Sequence, residues 1–171
     1  MKLPGQASPD GTERYRKRFA DKLPEGHFRQ SQNLWLSSIG LGTYLGNYDD
    51  ATDQEYHSAV VKAAGAGCNV FDSAINYRLQ RSERSIGTAL KELSSRGYNR
   101  DEIVVATKGG FIPYDGTPPT DPREYIERTF IKSGLASAAD IVSGCHCMTP
   151  KYLLNQLACS LRNLDVAIGE A

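Results

Sequence analysis

Hydrophobic and polar positions change period repeatedly along the middle of the chain, and this change predicts alternating strands and helices. Short apolar strands are predicted over 38–43 and 68–72, and a third over 103–107 is a continuous apolar run. The first two are each followed by a segment whose apolar residues recur three or four positions apart, which is typical of an amphipathic helix.

Capping signals set the bounds of the predicted helices. Thr52 and Glu55 have the spacing of a capping box, so the first helix is expected to begin at Thr52 and to end at Gly65. The second helix is expected to begin near Ser82 and to stop at Gly97.

The two ends of the chain show different patterns. Residues 1–27 are polar and predict a mobile or peripheral arm, separate from a domain over 28–171, with a short hairpin around 30–33. Asp121 followed by proline predicts a helix through Ile131, and a last helix is expected to start at Thr149. Its leucines predict one buried stripe, formed by Leu154, Leu157, Leu161 and Leu164.

Repeated strand-then-helix units of this size imply an α/β fold with a parallel sheet, as a (β/α)8 barrel or a doubly wound sheet. In both architectures ligands bind at the carboxyl ends of the strands. Polar residues follow all three predicted strands: Thr43 and Tyr44 the first, Asp72 the second and Lys108 the third. We therefore expect a site at this edge.

Asp72, Lys108 and Tyr77, which lies in the loop after the second strand, suit proton transfer to a carbonyl oxygen. An ordinary phenol has a pKa of about 10, too high for efficient proton exchange near neutrality, and a nearby ammonium lowers it. Taken singly, Asp72 could be a cap, Lys108 a surface charge and Tyr77 a packing residue. Their occurrence at successive strand ends favours catalysis.

Composition narrows the function classes. The chain has 20 basic and 20 acidic residues, so it lacks the positive excess that nucleic-acid or anionic-membrane binding requires. No apolar run approaches the roughly 20 residues of a membrane span, and the N-terminus has no signal-peptide core. The four cysteines do not form a secreted disulfide pattern, so a cytoplasmic protein is expected.

The spacing of two further motifs argues against a dinucleotide-binding turn and against a zinc site. The segment 40–45, Gly-Leu-Gly-Thr-Tyr-Leu, lacks the last glycine of a dinucleotide-binding turn. Cys145, His146 and Cys147 are consecutive and have no second ligand pair elsewhere, so packing is expected rather than a zinc site, and no metal is predicted.

Five segments, taken together and in order, resemble the aldo-keto reductases. The segment 72–77, Asp-Ser-Ala-Ile-Asn-Tyr, resembles that family's Asp-Thr-Ala-x-x-Tyr signature. The segment 81–87, Arg-Ser-Glu-Arg-Ser-Ile-Gly, resembles its Ser-Glu-x-x-aliphatic-Gly helix start. Similar matches are the Ile-Gly-Leu-Gly-Thr of 39–43, which resembles the family's Gly-Leu-Gly-Thr, the lysine motif of 106–108 and the Ser-Leu-x-x-Leu of 160–164.

This resemblance implies a (β/α)8 TIM barrel that binds NADPH and reduces a small carbonyl substrate. It implies Tyr77 as proton donor, Lys108 as its pKa-lowering partner and Asp72 as the residue that holds Lys108. Thr43 and Tyr44 would lie near the nicotinamide or the substrate mouth, and Asp72 would also contact the nicotinamide ribose.

The chain departs from the family in length. A complete barrel needs about 250 residues, and residues 168–171 carry neither the fourth strand nor the histidine that the family places at its end. His146 precedes the last helix and cannot take that place. We therefore expect a partial barrel of about three βα units, a truncated reductase that is weakly active or inactive alone.

Two alternatives remain open at this stage. One is a non-catalytic half-barrel that acts as a binding or assembly module and self-associates through exposed sheet edges. The other, an unrelated flavodoxin-like domain, would not explain the three matched positions.

Overall fold

The computed structural model describes residues 2–167, which form an α/β fold. Its α-helices are α1 Pro9–Arg18, α2 Asp50–Gly65, α3 Arg81–Ser95, α4 Pro122–Ile126 and α5 Pro150–Asn163. Its strands are β1 Leu3–Pro4, β2 Phe28–Ser31, β3 Leu34–Ser37, β4 Leu41–Gly42, β5 Val70–Asp72, β6 Val104–Ala106 and β7 Val166–Ala167. A π-helical turn, Glu127–Ile131, continues α4.

The central sheet is parallel and has the order β4-β5-β6, as the sequence predicts. Its strands are shorter than expected: β4 pairs only at Leu41 with Phe71 and at Gly42 with Asp72. Ile39, which was predicted to lie in the first strand, is exposed instead. The register aligns Gly42, Asp72 and Ala106 across the three strands.

The main core lies between the central sheet and the helices α2 and α3. Both helices bury apolar residues there. Residues buried in this core include Val60, Ala64, Phe71, Ile86, Leu90, Leu93 and Ile103. Burial of each such large side chain stabilises the fold by about 1.5–3 kcal/mol.

The expectation of a mobile or peripheral arm over 1–27 is wrong for α1. The Ser8 side chain accepts a hydrogen bond from Gly11 N at 2.9 Å and so caps this helix. Tyr15 and Phe19 are buried in the main core, and the Tyr15 hydroxyl donates to Ala64 O at 2.6 Å. Two of the charged residues that made the segment look peripheral, Arg14 and Arg18, pair with the buried Glu102.

The start of α2 also differs from the prediction. Asp49, not Thr52, is the N-cap: its carboxylate accepts from Thr52 N at 2.8 Å, and the helix begins at Asp50. Aspartate caps a helix as well as threonine does, and Asp49 lies at the required spacing. The expected hairpin is confirmed as β2 and β3, joined through Gln32 and Asn33 in the left-handed conformation.

The buried stripe predicted for the last helix is wrong at two of its four leucines. Leu154 is 67% exposed and Leu157 is 47% exposed. The face of α5 that packs inward carries Tyr152, Gln156 and Ser160, spaced four residues apart. Tyr152 belongs to a second core, and that core decides which face of the helix is buried.

The chain continues past α5 into a short strand. Val166 and Ala167 form β7, which pairs in parallel with β1 at Leu3 and Pro4. The predicted absence of strand and histidine over 168–171 lies outside the described residues. Among residues 2–167, no helix combines the length and the apolar character that crossing a bilayer requires.

Candidate active site

The carboxyl ends of the three parallel strands bring the predicted site residues together. Asp72 is the last residue of β5 and pairs with Ala106 of β6. Pairing then continues past the strands, since Ser73 N donates to Ala106 O at 2.8 Å and Ile75 N donates to Lys108 O at 3.2 Å. The backbone therefore fixes Lys108 beside the segment that leads to Tyr77.

Lys108 and Asp72 form a two-oxygen ion pair at this edge. The Lys108 Nζ lies 2.6 Å from Asp72 Oδ1 and 2.7 Å from Oδ2, and it also donates to Ser73 O at 2.8 Å. The side chains are 49% and 44% exposed. The ammonium is thus held in one position while a face of the pair remains open to solvent.

Opposing influences act on the pKa of Lys108. Partial burial lowers this pKa, but the Asp72 carboxylate and then the phenol of Tyr77 outweigh burial and raise it above the ordinary lysine value. Lys108 is therefore a persistent cation at neutral pH. It can stabilise a negative charge nearby, but it is not itself suited to give up a proton.

Tyr77 lies between this cation and a second aromatic ring. The Lys108 Nζ is 4.9 Å from the centroid of the Tyr77 ring, which is within the range of a cation–π contact. On another side the ring of Tyr44 meets Tyr77 edge-on, with centroids 4.9 Å apart at 65°. The structure therefore brings Asp72, Lys108, Tyr77 and Tyr44 into one group.

Thr43 contacts the same group from the protein interior. It is fully buried, and its hydroxyl donates to Asp72 O at 3.0 Å and to Ser73 Oγ at 3.1 Å. The Ser82 hydroxyl donates to Thr43 O at 2.6 Å. Thr43 thus fixes the strand end that carries Asp72; its predicted contact with a cofactor stays a prediction.

Comparison with known families now bears on this geometry. The model of the aldo/keto reductase family matches residues 38–168, which include all four strand-end residues. The chain belongs to the aldo/keto reductase family. All five segments that resemble the family in the sequence lie within this match.

Individual relatives match over a shorter region. An aldo-keto reductase of Gibberella moniliformis is 28% identical over 57% of this chain and 28% of its own length. The chloroplastic pyridoxal reductase of Arabidopsis thaliana is 33% identical over 47% of this chain and 25% of its own. The NADH-specific methylglyoxal reductase of Escherichia coli is 32% identical over 53% and 27%. The chain thus spans about a quarter of these curated relatives.

One solved structure assigned to the aldo-keto reductases, from Pseudomonas aeruginosa, aligns over 84% of this chain and 58% of its own. Its sequence identity is 24% and its TM-score is 0.39.

One residue beside this candidate site was not predicted from the sequence to make a contact there: Glu83. Its side chain is fully buried, with Oε1 accepting from Thr107 Oγ1 at 2.6 Å and Oε2 from Asn163 Nδ2 at 2.8 Å. Glu83 thereby links the end of β6 to both α3 and α5, directly beside Lys108. The available signal was the position of Glu83, three residues before Ile86 and so on the apolar face of the predicted helix.

The turn that follows Tyr77 was also missed. Arg78, Leu79 and Gln80 all have left-handed backbone angles, with φ of 48°, 58° and 70°. This conformation costs about 1–2 kcal/mol for each non-glycine residue. The buried guanidinium of Arg78 offsets part of that cost, since it donates to Asn47 O at 2.9 Å and pairs with Asp53 at 2.7 Å. No glycine marks this turn in the sequence.

His146 lies in a loop, where its backbone bridges Phe111 and Val142. Within residues 2–167, no three His, Cys, Asp or Glu side chains cluster closely enough to hold a metal ion.

Proposed function

We propose that this chain carries part of the active site of an NADPH-dependent carbonyl reductase, with Tyr77 as the proton donor. The observation that carries the proposal is the Lys108–Asp72 ion pair, placed 4.9 Å from the Tyr77 ring at the carboxyl edge of the parallel sheet. Two relatives support the substrate class, because pyridoxal and methylglyoxal, the compounds in their names, are both aldehydes.

The residues present perform three parts of such a reaction. NADPH supplies the hydride that adds to the carbonyl carbon. As that carbon is reduced, its oxygen gains negative charge and takes the proton of the Tyr77 hydroxyl. The Lys108 ammonium then stabilises the remaining phenolate by Coulomb attraction, and Asp72 keeps the ammonium in place.

The open side of the site fits the nicotinamide end of the cofactor. Asp72 presents a half-exposed carboxylate that can accept a hydrogen bond from a ribose hydroxyl, and Tyr44 presents an exposed ring beside Tyr77. Thr43 is fully buried, so we propose that it acts through Asp72 rather than by touching the cofactor.

A cavity of about 330 Å³ beside these residues is a candidate for part of the substrate mouth. It lies between the loops that follow β4 and β5, and its lining includes Tyr44, Tyr48 and Asn76. Two tyrosine rings and one amide suit a carbonyl compound with an apolar body and a single polar group.

We further propose that β4, β5 and β6 form one side of a (β/α)8 barrel, and that the 171-residue chain alone turns over weakly or not at all. The matched region covers about a quarter of the length of these curated relatives, so the chain carries only part of what they contain. The choice of NADPH over NADH, the cytoplasmic location and the division at residue 27 stay predictions.

The test is oxidation of NADPH with 4-nitrobenzaldehyde, followed at 340 nm, with a parallel NADH arm. Replacing Tyr77 by phenylalanine removes only the hydroxyl, so any turnover should fall by at least about 100-fold. Tyr125→Phe is the matched control, because Tyr125 lies in the second core and should leave the rate unchanged.

Two outcomes would count against the proposal. Turnover that persists in Tyr77→Phe would remove Tyr77 from the chemistry. Robust turnover by the wild-type chain, lost in Tyr77→Phe, would confirm the catalytic role and refute the expected weakness of the chain alone.

A second candidate function is favoured by the surface of α5. Leu154 and Leu157 expose large apolar side chains there, and in the described part of the chain β6 pairs on one edge only. We propose, as the alternative, a non-catalytic half-barrel that self-associates over these surfaces. Light scattering after size exclusion tests it: a stable monomer at micromolar concentration contradicts it, and a dimer lost in Leu154→Glu supports it.

A further inference from the structure

Outside the strand-end site, the chain holds a second pair of reactive groups in the loop before α5. The Sγ of Cys145 lies 3.2 Å from Nδ1 of His146, which is hydrogen-bonding distance for a thiol and an imidazole. Cys145 is partly exposed and His146 is exposed, so small molecules can reach the pair.

The His146 ring is held in place rather than free to rotate away. Its edge packs on the ring of Phe111, with centroids 4.7 Å apart at 78°. The backbone on both sides is fixed as well, because Ile112 N donates to Cys145 O at 2.7 Å and Cys147 N donates to Gly110 O at 2.8 Å. Cys145 and His146 therefore lie against residues 110–112, which follow Lys108 in the chain.

The other thiols of the described chain have different surroundings. Cys68 is buried and donates to Ile39 O at 3.4 Å, and Cys147 is buried beside the Thr149 hydroxyl. Cys159 is partly exposed, and its sulfur accepts from Arg162 Nη2 at 2.9 Å; this cation can stabilise a thiolate but cannot take the thiol proton. Cys145 thus combines access to solvent with a base in contact.

We propose that Cys145 is a reactive thiol that undergoes exchange with small-molecule disulfides, with His146 as its general base. The Cys145 proton passes to His146 Nδ1, and the thiolate attacks one sulfur of the disulfide. A new S–S bond forms between Cys145 and that sulfur while the original S–S bond breaks. The other half of the disulfide leaves as a thiolate, so no further oxidant is needed.

The experiment is labelling of the intact chain with limiting 5,5′-dithiobis(2-nitrobenzoic acid) at pH 7, followed by acid quench and peptide mass spectrometry. Cys145 should react first of the four cysteines, and Cys145→Ser should remove the fast phase. His146→Asn keeps a polar group near the position of Nδ1 but cannot take the proton, so it should slow this phase about threefold or more.

Cys159→Ser is the matched control and should leave the fast phase unchanged. Fast labelling that maps to Cys159, or a Cys145 rate that is unaffected by His146→Asn, would overturn the proposal. Labelling of the buried Cys68 and Cys147 reports unfolding of any variant. If His146→Asn unfolds by that criterion, the order of labelling in the wild-type chain decides.

Discussion

Both ends of β6 carry ion pairs, but in different surroundings. Two residues before the strand, Glu102 is fully buried and accepts from Arg14 at 2.7 Å and from Arg18 at 3.0 Å, both on α1. Two residues after it, Lys108 pairs with Asp72, and both side chains are nearly half exposed. At the first end α1 seals the Glu102 carboxylate from water, although the side chains of Arg14 and Arg18 are 44% and 37% exposed; at the second end neither partner is sealed.

Because they differ in exposure, the two ion pairs can serve different purposes. The pair at Glu102 stabilises the fold, whereas the pair at Lys108 is available for chemistry. A carboxylate without water is stable only while its partners remain in place, so the Glu102 end must be rigid. A pair that is half in water contributes little to stability, because solvent can replace either partner. At this end the Lys108 ammonium is held in one orientation and a ligand can still reach it. The proposed reaction needs such a cation.

The largest expected effect is loss of stability in Glu102→Ala. This change removes the shared partner of Arg14 and Arg18 and leaves a void beside α1. Both arginines can still reach water, so we expect a loss of about 2–3 kcal/mol rather than the larger cost of a stranded buried charge. The measurement is urea unfolding followed by circular dichroism.

Asp72→Ala is the matched control for that measurement. It also removes a carboxylate at the edge of the central sheet, yet it should lower the free energy of unfolding by less than about 1 kcal/mol. If the two variants lose equal stability, the contrast between an enclosed and an open end of β6 is wrong.

The sequence predicted the open end better than the enclosed one. Strand ends in a parallel sheet meet at one edge, so Asp72 and Lys108 could be expected to converge from their positions alone. Arg14 and Glu102 are 88 positions apart, and nothing local links them. Their contact depends on α1, whose charge content predicts an arm even though Ser8 and Pro9 form a helix-capping signal.

Tertiary packing also overrode two local patterns. The leucine spacing on α5 predicted a buried stripe, but the second core selected the face that carries Tyr152 and Gln156 instead. The left-handed turn after Tyr77 has no glycine, and it is held by contacts of Arg78 with Asn47 and Asp53, which lie in a different part of the chain. Neither arrangement could be derived from neighbouring residues.

A smaller effect is expected at Tyr15, which reaches the enclosed side of the core from α1. Tyr15→Phe removes the buried hydrogen bond to Ala64 O and should cost about 1 kcal/mol at pH 7. Burial raises the pKa of Tyr15, with smaller contributions from nearby groups. Its contribution to stability is therefore complete below about pH 10, where a free phenol is neutral, and is lost as the pH rises further.

Alkaline unfolding of the two proteins tests this point. The difference in free energy of unfolding between wild type and Tyr15→Phe should shrink between pH 8 and pH 11. A difference that stays constant over this range would show that the phenol ionises equally in the folded and unfolded chains, and hence that this part of the core admits water.

The smallest effect is expected at Glu13, a partly exposed residue of α1 that lies near the enclosed end without being sealed by it. A hydrogen bond from Arg16 lowers its pKa to about 2, slightly opposed by burial and assisted by the charges of Arg16 and Lys17. A lowered carboxyl pKa stabilises the fold above about pH 4.5, and this contribution is lost as the pH falls towards 2. Because solvent screens the pair, Glu13→Gln should cost less than about 0.5 kcal/mol at pH 6, and nothing near pH 2 or in molar salt. A loss of stability at pH 6 as large as that of Glu102→Ala would contradict this. It would mean that closeness to the Glu102 end of β6, rather than access to water, determines how much an ion pair stabilises the fold.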